Sequence, residues 1–346
     1  MKFNNLTYLI SKEILSHLPV ADLLIFSQCS KKHMSYIQYL LKHELPKIGP
    51  IGIVSRDNGC LWRIRGCLNT FIAMKPSSVI GDSTVCKLRL FGLELSCCPA
   101  TDHEPMIVFG EEEQAEHLLL CFYDSIYTLF GPLMEYHLAV DEEDSYTGTL
   151  SHDIPLLYHI TKSFFSVSHT EELERELEML LLFSPNIDYI HLVEMESCDI
   201  MDIPEMSKIP ELEIGTLYCD FGDLIRKFTG KRLIVESVDD GDGELDSTTV
   251  IEFLLAWKSN IAYGNMKLLK VECDSESLNV EEIMENCDIK QLDLDRDPPN
   301  YEYQTSDLCN TFKESFESHH YIVRESDGRV ASLIITPKCF QFGVWN

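Results

Sequence analysis

The sequence has few basic residues for its length. Its 28 Lys and Arg residues stand against 57 Asp and Glu residues, which gives a formal net charge of −29 over 346 residues. A field of that sign repels phosphate groups, so nucleic acids and anionic membrane surfaces are disfavoured as partners. The charge is uneven, because residues 1–50 hold six lysines against three acidic residues. We therefore expect two modules with different partners.

Motifs of common enzyme and metal sites are absent. The sequence contains no Gly-x-Ser-x-Gly elbow, no phosphate loop and no His-Glu-x-x-His pair. The aspartates of residues 293–297 are followed by Pro298, where a calcium loop needs glycine. His319 and His320 have no partners at metal-ligand spacing. We therefore predict no catalytic residue, no metal site and no cofactor, and a chain that is not an enzyme.

The thirteen cysteines do not have the pattern of a disulfide framework, because their number is odd and no Cys-x-x-Cys pair occurs. Some lie among apolar residues, where a free thiol behaves as a small hydrophobic side chain; these are Cys29, Cys121, Cys219 and Cys273. This usage favours a reducing compartment. Lys12 and Glu13 interrupt the apolar segment that a signal peptide needs, and no run reaches the roughly 18 apolar residues of a membrane span. The expected location is the cytoplasm, the nucleus or both.

Residues 6–45 have the pattern of three short helices. Apolar side chains recur at helical spacing in the first of them, at Ile10, Ile14, Leu15 and Leu18. Pro19 suits the first turn of the second helix, and Ser30 suits the N-cap of the third. Three helices in forty residues bury too little apolar surface for independent stability. We therefore expect this segment to pack against something else.

The pattern changes after Pro46 and again near residue 111. Residues 47–110 are predicted to be a β-rich connecting segment, with strands at 51–54, 61–64, 85–90 and 106–109. In residues 111–346 the apolar residues follow the helical period in some segments and the strand period in others. The predicted helices are at 113–130, 170–182, 248–258 and 280–285, and the predicted strands are at 136–140, 187–193, 211–216, 232–236, 268–272 and 290–294. Ser168 and Glu171 have the spacing of a capping box, and Asp327-Gly328 predicts a hairpin. A parallel α/β series of this kind is similar to a leucine-rich-repeat solenoid.

The first module resembles an F-box. The match is carried by Leu6, Ile14-Leu15, Leu18, Asp22-Leu23-Leu24 and Ser27-x-Cys29-Ser30-Lys31. F-boxes usually open with Leu-Pro, whereas Thr7 stands in place of that proline here. The resemblance implies a three-helix domain that docks a Skp-family adaptor, and through it a cullin scaffold.

The second module resembles the type 2 F-box-associated domain of the nematode-expanded F-box family. The carrying segments are the helix Val250–Trp257, the strand Met266–Val271 and the closing Tyr321–Gly328 with Ala331 and Val344-Trp345. The expected fold is of the α+β or α/β class: an N-terminal three-helix F-box over residues 1–46, the connecting segment 47–110, and a leucine-rich-repeat-like α/β domain over 111–346 that ends in a β-hairpin.

Together the two resemblances imply the substrate-recognition subunit of an SCF-type ubiquitin ligase, which holds an unknown protein target and performs no chemistry. The expected adaptor-binding residues are Leu6, Ile10, Ile14, Leu15, Leu18, Pro19, Leu23, Leu24, Lys31 and Lys32. The apolar ones would fill a groove, and the two lysines would steer the chain toward an acidic adaptor. The alternative is a non-ligase scaffold or structural protein whose helical head packs on its own α/β domain, because an apolar stripe serves either purpose.

Overall fold

A computed structural model gives the fold of the described part of the chain. The described residues are 7–18, 20–45, 50–56, 59–64, 70–76, 86–90, 93–98, 106–110, 115–132, 134–141, 157–166, 171–195, 198–238, 245–293, 297–306 and 311–345. Two of the predicted docking residues, Leu6 and Pro19, lie outside these ranges, and so does Ser168 of the predicted capping box.

The chain divides into two compact units. The first comprises residues 1–161 and 308–310, and the second comprises residues 162–307 and 311–346. The boundary predicted near residue 110 falls inside the first unit, where the strand at residues 70–76 and the helix at residues 115–130 both contact the helix at residues 20–28. The two units are described separately below.

The helices of the first unit begin with three short ones near the N-terminus, followed by a longer one: α1 Tyr8–Ser16, α2 Val20–Gln28, α3 Lys31–Leu40 and α4 Ala115–Phe130. Ser30 caps α3, since its side chain accepts a hydrogen bond from the backbone N–H of His33 at 3.2 Å. Helix α1 contacts α3, while both α2 and α3 contact α4. Gln38 of α3 adds a hydrogen bond from Nε2 to the carbonyl of Thr128 at 2.5 Å. The α2–α3 pair is thus anchored to α4 of its own unit.

The sheet of the first unit is mixed. Its strands are β1 Ile51–Arg56, β2 Gly59–Ile64, β3 Thr70–Pro76, β4 Cys86–Leu90, β5 Leu93–Cys98, β6 Met106–Gly110 and β7 Tyr136–Asp141. They lie side by side in the order β7-β1-β2-β3-β6-β5-β4. The β1–β7 and β3–β6 pairs are parallel, and the others are antiparallel. Ile51 and Ile53 of β1 are fully buried, which places this strand in the core of the unit.

The second unit begins with parallel strands in chain order. Strands β8 Lys162–Ser166, β9 Tyr189–Met195, β10 Glu211–Leu217, β11 Arg232–Val238 and β12 Leu268–Cys273 each pair in parallel with the next. The connections contain helices α5 Glu171–Phe183, α6 Phe221–Lys227 and α7 Ser247–Lys258, with two 3-10 turns at Cys198–Asp202 and Met206–Lys208. One face of this sheet is apolar and carries fully buried side chains such as Ile190, Ile214 and Val235. The predicted α/β alternation is therefore present here.

The rest of the second unit is antiparallel. After α8 Val280–Asn286 come β13 Lys290–Gln291, β16 His320–Val323, β17 Val330–Thr336 and β18 Cys339–Val344, and β18 pairs with β12. The predicted hairpin is present as β16–β17, and its turn places Gly328 at φ +73°, which suits glycine. A separate hairpin of β14 Asn300–Ser306 and β15 Thr311–Glu317 packs Tyr301 and Phe316 against Ile234 and Leu268.

Several features differ from the sequence expectations. Strands β3, β5, β8, β14 and β15 and helix α6 were not predicted, and β13 is shorter than expected. Cys219 is disulfide-bonded, so the expectation of a free thiol there is wrong. Cys29 and Cys121 carry free thiols, and Cys273 forms no disulfide. None of the helices in the described ranges has the length and apolar content needed to cross a membrane.

Candidate functional site

Five of the nine residues of helix α1 are apolar, and four of those five are exposed. Tyr8, Leu9, Ile10 and Ile14 are 49%, 73%, 49% and 41% exposed, whereas Leu15 is fully buried. A soluble helix usually shows apolar side chains on the side that packs against its own protein and polar ones elsewhere. Only the Leu15 side of α1 follows that rule. We call the four exposed residues Tyr8, Leu9, Ile10 and Ile14 the α1 surface.

Tyr39 of α3 extends this surface. It is 70% exposed, and its ring meets that of Tyr8 edge-to-face, with 6.1 Å between centroids and 72° between planes. Aromatic pairs favour this geometry, and large aromatic side chains are enriched in protein interfaces. The Tyr8–Tyr39 pair therefore extends the α1 surface onto α3 with a second aromatic side chain.

The structure separates the predicted docking residues into two groups. Ile10 and Ile14 belong to the α1 surface, whereas Leu15, Leu23 and Leu24 are 0%, 3% and 1% exposed and lie in the core of the first unit. Leu18 is half-buried. The buried leucines hold α1 and α2 in place within the free chain and offer a partner almost no surface. Their assignment as adaptor contacts stays a prediction, and a weaker one than that of Ile10 and Ile14.

Tyr8, Leu9 and Tyr39 were missed by the sequence reasoning. Helical periodicity selected the stripe that includes Leu15, and that stripe is partly the side that faces the protein. A usable signal was present: Tyr8, Leu9, Ile10, Ile14 and Leu15 cover more of a nine-residue helix than a single packed side can bury. An excess of apolar residues on so short a helix indicates a second contact.

Lys31 and Lys32 lie exposed in the first turn of α3. The N-terminus of a helix carries partial positive charge, so cations there are unfavourable by a few tenths of a kcal/mol or more. Neither lysine forms an ion pair within the described ranges of the chain. Among the described residues no ion pair accounts for their position, and both side chains are exposed.

A buried polar cluster in the second unit has a structural role. The Tyr189 hydroxyl donates to Glu213 at 2.9 Å, and Arg232 contacts Glu211 at 3.0 Å. Burial raises the pKa of the Glu213 carboxyl and that of the Tyr189 hydroxyl. These residues lie on adjacent strands and pair with one another across the sheet. Arg232 Nε is buried without a hydrogen-bond partner among the described residues. In the described part of the chain, no group of three or more His, Cys, Asp or Glu side chains is arranged to hold a metal ion.

Helices α1, α2 and α3 together expose an apolar helix surface, as small docking domains do. Comparison with models of protein families detects an F-box domain at residues 3–41. This match spans α1, α2 and α3, and it implies a role in binding a Skp-family adaptor, which links such chains to a cullin scaffold. Searches of curated proteins and of solved structures found no match to the chain.

Proposed function

We propose that the chain is the substrate-recognition subunit of an SCF-type ubiquitin ligase. The α1 surface would dock a Skp-family adaptor, and the second unit would hold a protein target. The observation that carries this proposal is the exposed apolar surface of α1, which lies inside the detected F-box domain. Such a subunit performs no chemistry. It raises the effective concentration of its target near the ligase, and we expect it in the cytoplasm or the nucleus.

The energetics of the α1 surface fit a docking role. Full burial of a side chain of this size contributes about 1.5–3 kcal/mol. The exposed fractions of the four side chains add up to a little more than two whole side chains. Burying them therefore contributes on the order of 4 kcal/mol, before the costs of association and ordering are subtracted. That amount is enough to make α1 an important contact, but other residues must contribute to a stable complex.

The proposed target-binding domain is the second unit. Its parallel strands β8 to β12 follow one another in chain order with helical connections, which supports the proposal of a leucine-rich-repeat-like, solenoid-like domain. Trp257 lies on helix α7, and Asp327-Gly328 lies in the turn between β16 and β17. These residues carry the resemblance to the type 2 F-box-associated domain. We therefore propose that assignment, and with it membership of the nematode-expanded F-box family.

A second candidate function has some support. Leu23 and Leu24 are buried, and α2 and α3 contact α4 of their own unit, as expected for a head that closes its own domain. On this alternative the chain is a scaffold without a ligase, and the α1 surface has no adaptor. The exposure of Tyr8, Leu9, Ile10 and Ile14 favours the ligase proposal.

A binding experiment tests the proposal. Full-length wild type and the double variant Ile10→Glu/Ile14→Glu are titrated with a purified Skp-family adaptor, and Kd is measured by calorimetry. Charges placed in an apolar contact are expected to weaken binding at least 30-fold. The matched control is Ile261→Glu in the second unit, because Ile261 is 83% exposed and should tolerate the charge. Equal Kd values for the double variant and the wild type would contradict docking through α1.

A further inference from the structure

Two cysteines face each other across the edge of the first unit's sheet. In the antiparallel β4–β5 pair, Cys86 lies directly opposite Cys97. Directly opposed residues of an antiparallel pair have Cα atoms about 4.5–5.5 Å apart. A disulfide needs a Cα separation of about 4.4–6.8 Å. The register therefore places the Cα atoms of these two cysteines in the range that a disulfide requires.

Both thiols also lie on the same side of the sheet. Cys97 is fully buried and its strand neighbour Leu95 is 4% exposed, whereas Lys87 and Glu94 are exposed and form an ion pair at 2.9 Å. Side chains alternate between the two faces along a strand, and opposed residues share a face. Cys86 and Cys97 thus point to the buried side, and Cys98, the next residue, points to the other side together with Lys87.

We propose that Cys86 and Cys97 form a reversible cross-strand disulfide when the chain meets a low-molecular-weight disulfide of the glutathione class. Both thiols are free in the structure, and Cys86 is the more accessible of the two. Strand β4 ends the order of strands in its sheet, so the bond would tie this terminal strand to β5. The inference concerns a different part of the first unit from the α1 surface and does not depend on adaptor binding.

The chemistry balances in two steps. The Cys86 thiolate attacks one sulfur of the oxidant, the S–S bond of the oxidant breaks, and one thiol is released with the proton that Cys86 gave up. Cys97 then loses its proton and attacks the Cys86 sulfur, which releases the second thiol. Two protein thiols are oxidised and one small disulfide is reduced to two thiols.

The environment of Cys97 sets the order of these steps. Burial, with a smaller contribution from the nearby Cys86 and Cys98, raises the pKa of the Cys97 thiol to about 12. A thiol with so high a pKa provides little thiolate at neutral pH, and the thiolate is the attacking species. The half-buried Cys86 therefore reacts first, and the closing step by Cys97 is the slow one.

Peptide mapping tests the proposal. Reduced full-length protein is incubated in buffers of reduced and oxidised glutathione at several ratios, quenched with acid and alkylated. Trypsin cleaves after Lys87 and Arg89, so a Cys86–Cys97 bond joins two otherwise separate peptides. The expected result is that linked peptide in oxidising buffer and its loss on return to reducing buffer. A wild type that carries only a glutathione adduct on Cys86, at every ratio, would overturn the proposal.

Matched variants locate the bond. Cys86→Ser is expected to abolish the linked peptide, and so is Cys97→Ser, whereas Cys98→Ser should leave its yield within twofold of the wild type. Because Cys97 is buried, its variant is checked for folding by circular dichroism, and Cys86→Ser stands alone as the test if Cys97→Ser does not fold. Persistence of the linked peptide in Cys86→Ser, or its loss in Cys98→Ser, would assign the bond to other thiols and overturn the inference.

Discussion

Helices α1 and α7 are both short and apolar, and they use their apolar residues in opposite ways. Helix α7 begins at a capped end, where Asp246 accepts a hydrogen bond from the backbone N–H of Thr249 at 2.7 Å. Its Phe253, Leu254 and Trp257 are at most 2% exposed. Helix α1 has no side-chain cap and leaves most of its apolar side chains in solvent.

This difference in burial shows which packing contacts stabilise each helix. The ring of Trp257 meets Phe342 of β18 edge-to-face at 5.0 Å, so α7 is held by its own unit. Isolated helices of fewer than about 12 residues are marginal in water, and packing decides whether they form. Helix α1 has nine residues and packs on one side only. Its sequence is therefore better explained by two contacts, one to α3 and one to a partner, than by the free chain alone.

The largest expected effect comes from the best-packed position of α7. Replacing Trp257 by Ala leaves a large cavity, and we expect it to lower the free energy of unfolding by about 3–5 kcal/mol. The measurement is denaturant unfolding of the full chain. The matched variant is Leu9→Ala in α1, where we expect a change of about 0.5 kcal/mol or less because the side chain is exposed. Similar losses in the two variants would remove the contrast between the helices.

A smaller effect is expected at the charged pair beneath Trp257. The guanidinium of Arg324 lies 5.2 Å from the Trp257 ring and donates to both carboxylate oxygens of Asp327, at 3.0 Å and 2.6 Å. These hydrogen bonds lower the pKa of Asp327 to about 2. Because folding favours the carboxylate, its contribution to stability is fully present above about pH 4 and is lost as the pH falls towards 2.

Asp327→Asn tests this dependence. The variant is expected to have a lower thermal midpoint at neutral pH, since the buried Arg324 loses its charged partner. It should also lose less stability than the wild type between pH 4 and pH 2.5. Thermal unfolding followed across that range provides the measurement, with Glu302→Gln on the exposed side of β14 as the control. If the thermal midpoints of Asp327→Asn and the wild type fall by the same amount between pH 4 and pH 2.5, the Arg324–Asp327 pair is not the source of this pH dependence.

Much of the parallel part of the fold was predictable because its strands are strongly apolar and its helices strongly periodic. Strand β11 carries four consecutive buried residues from Arg232 to Val235, and α5 and α7 show regular helical spacing. The hairpin β14–β15 was missed although Tyr301 and Tyr303 alternate with polar residues, which is the pattern of a strand with one buried face. The packing of this hairpin against Ile234 and Leu268 is a long-range contact, and local periodicity does not show which surface a hairpin will cover.

The α1 surface was predictable only in part, for a related reason. Periodicity identifies which residues of a helix share a side, but it does not say which side the protein itself will cover. Ile14 and Leu15 are neighbours of the same apolar character, yet one is 41% exposed and the other fully buried. The packing of α3 against α1 determines which of the two side chains is buried, and this tertiary contact cannot be read from the sequence.

The smallest expected effect concerns the rate of docking. Lys31 and Lys32 lie exposed at the positive end of α3, where they gain nothing from the helix dipole. Replacing both by Gln should leave the free energy of unfolding unchanged or slightly higher, while slowing association with an acidic adaptor by about threefold to tenfold at low salt. The slowing should disappear at 0.5 M salt, where surface charges are screened within a few ångströms. Stopped-flow association rates provide the measurement, with Lys231→Gln/Lys267→Gln in the second unit as a control of equal charge change. If both double variants associate equally fast, the head's charges play no part in steering, and α1 docks by its apolar residues alone.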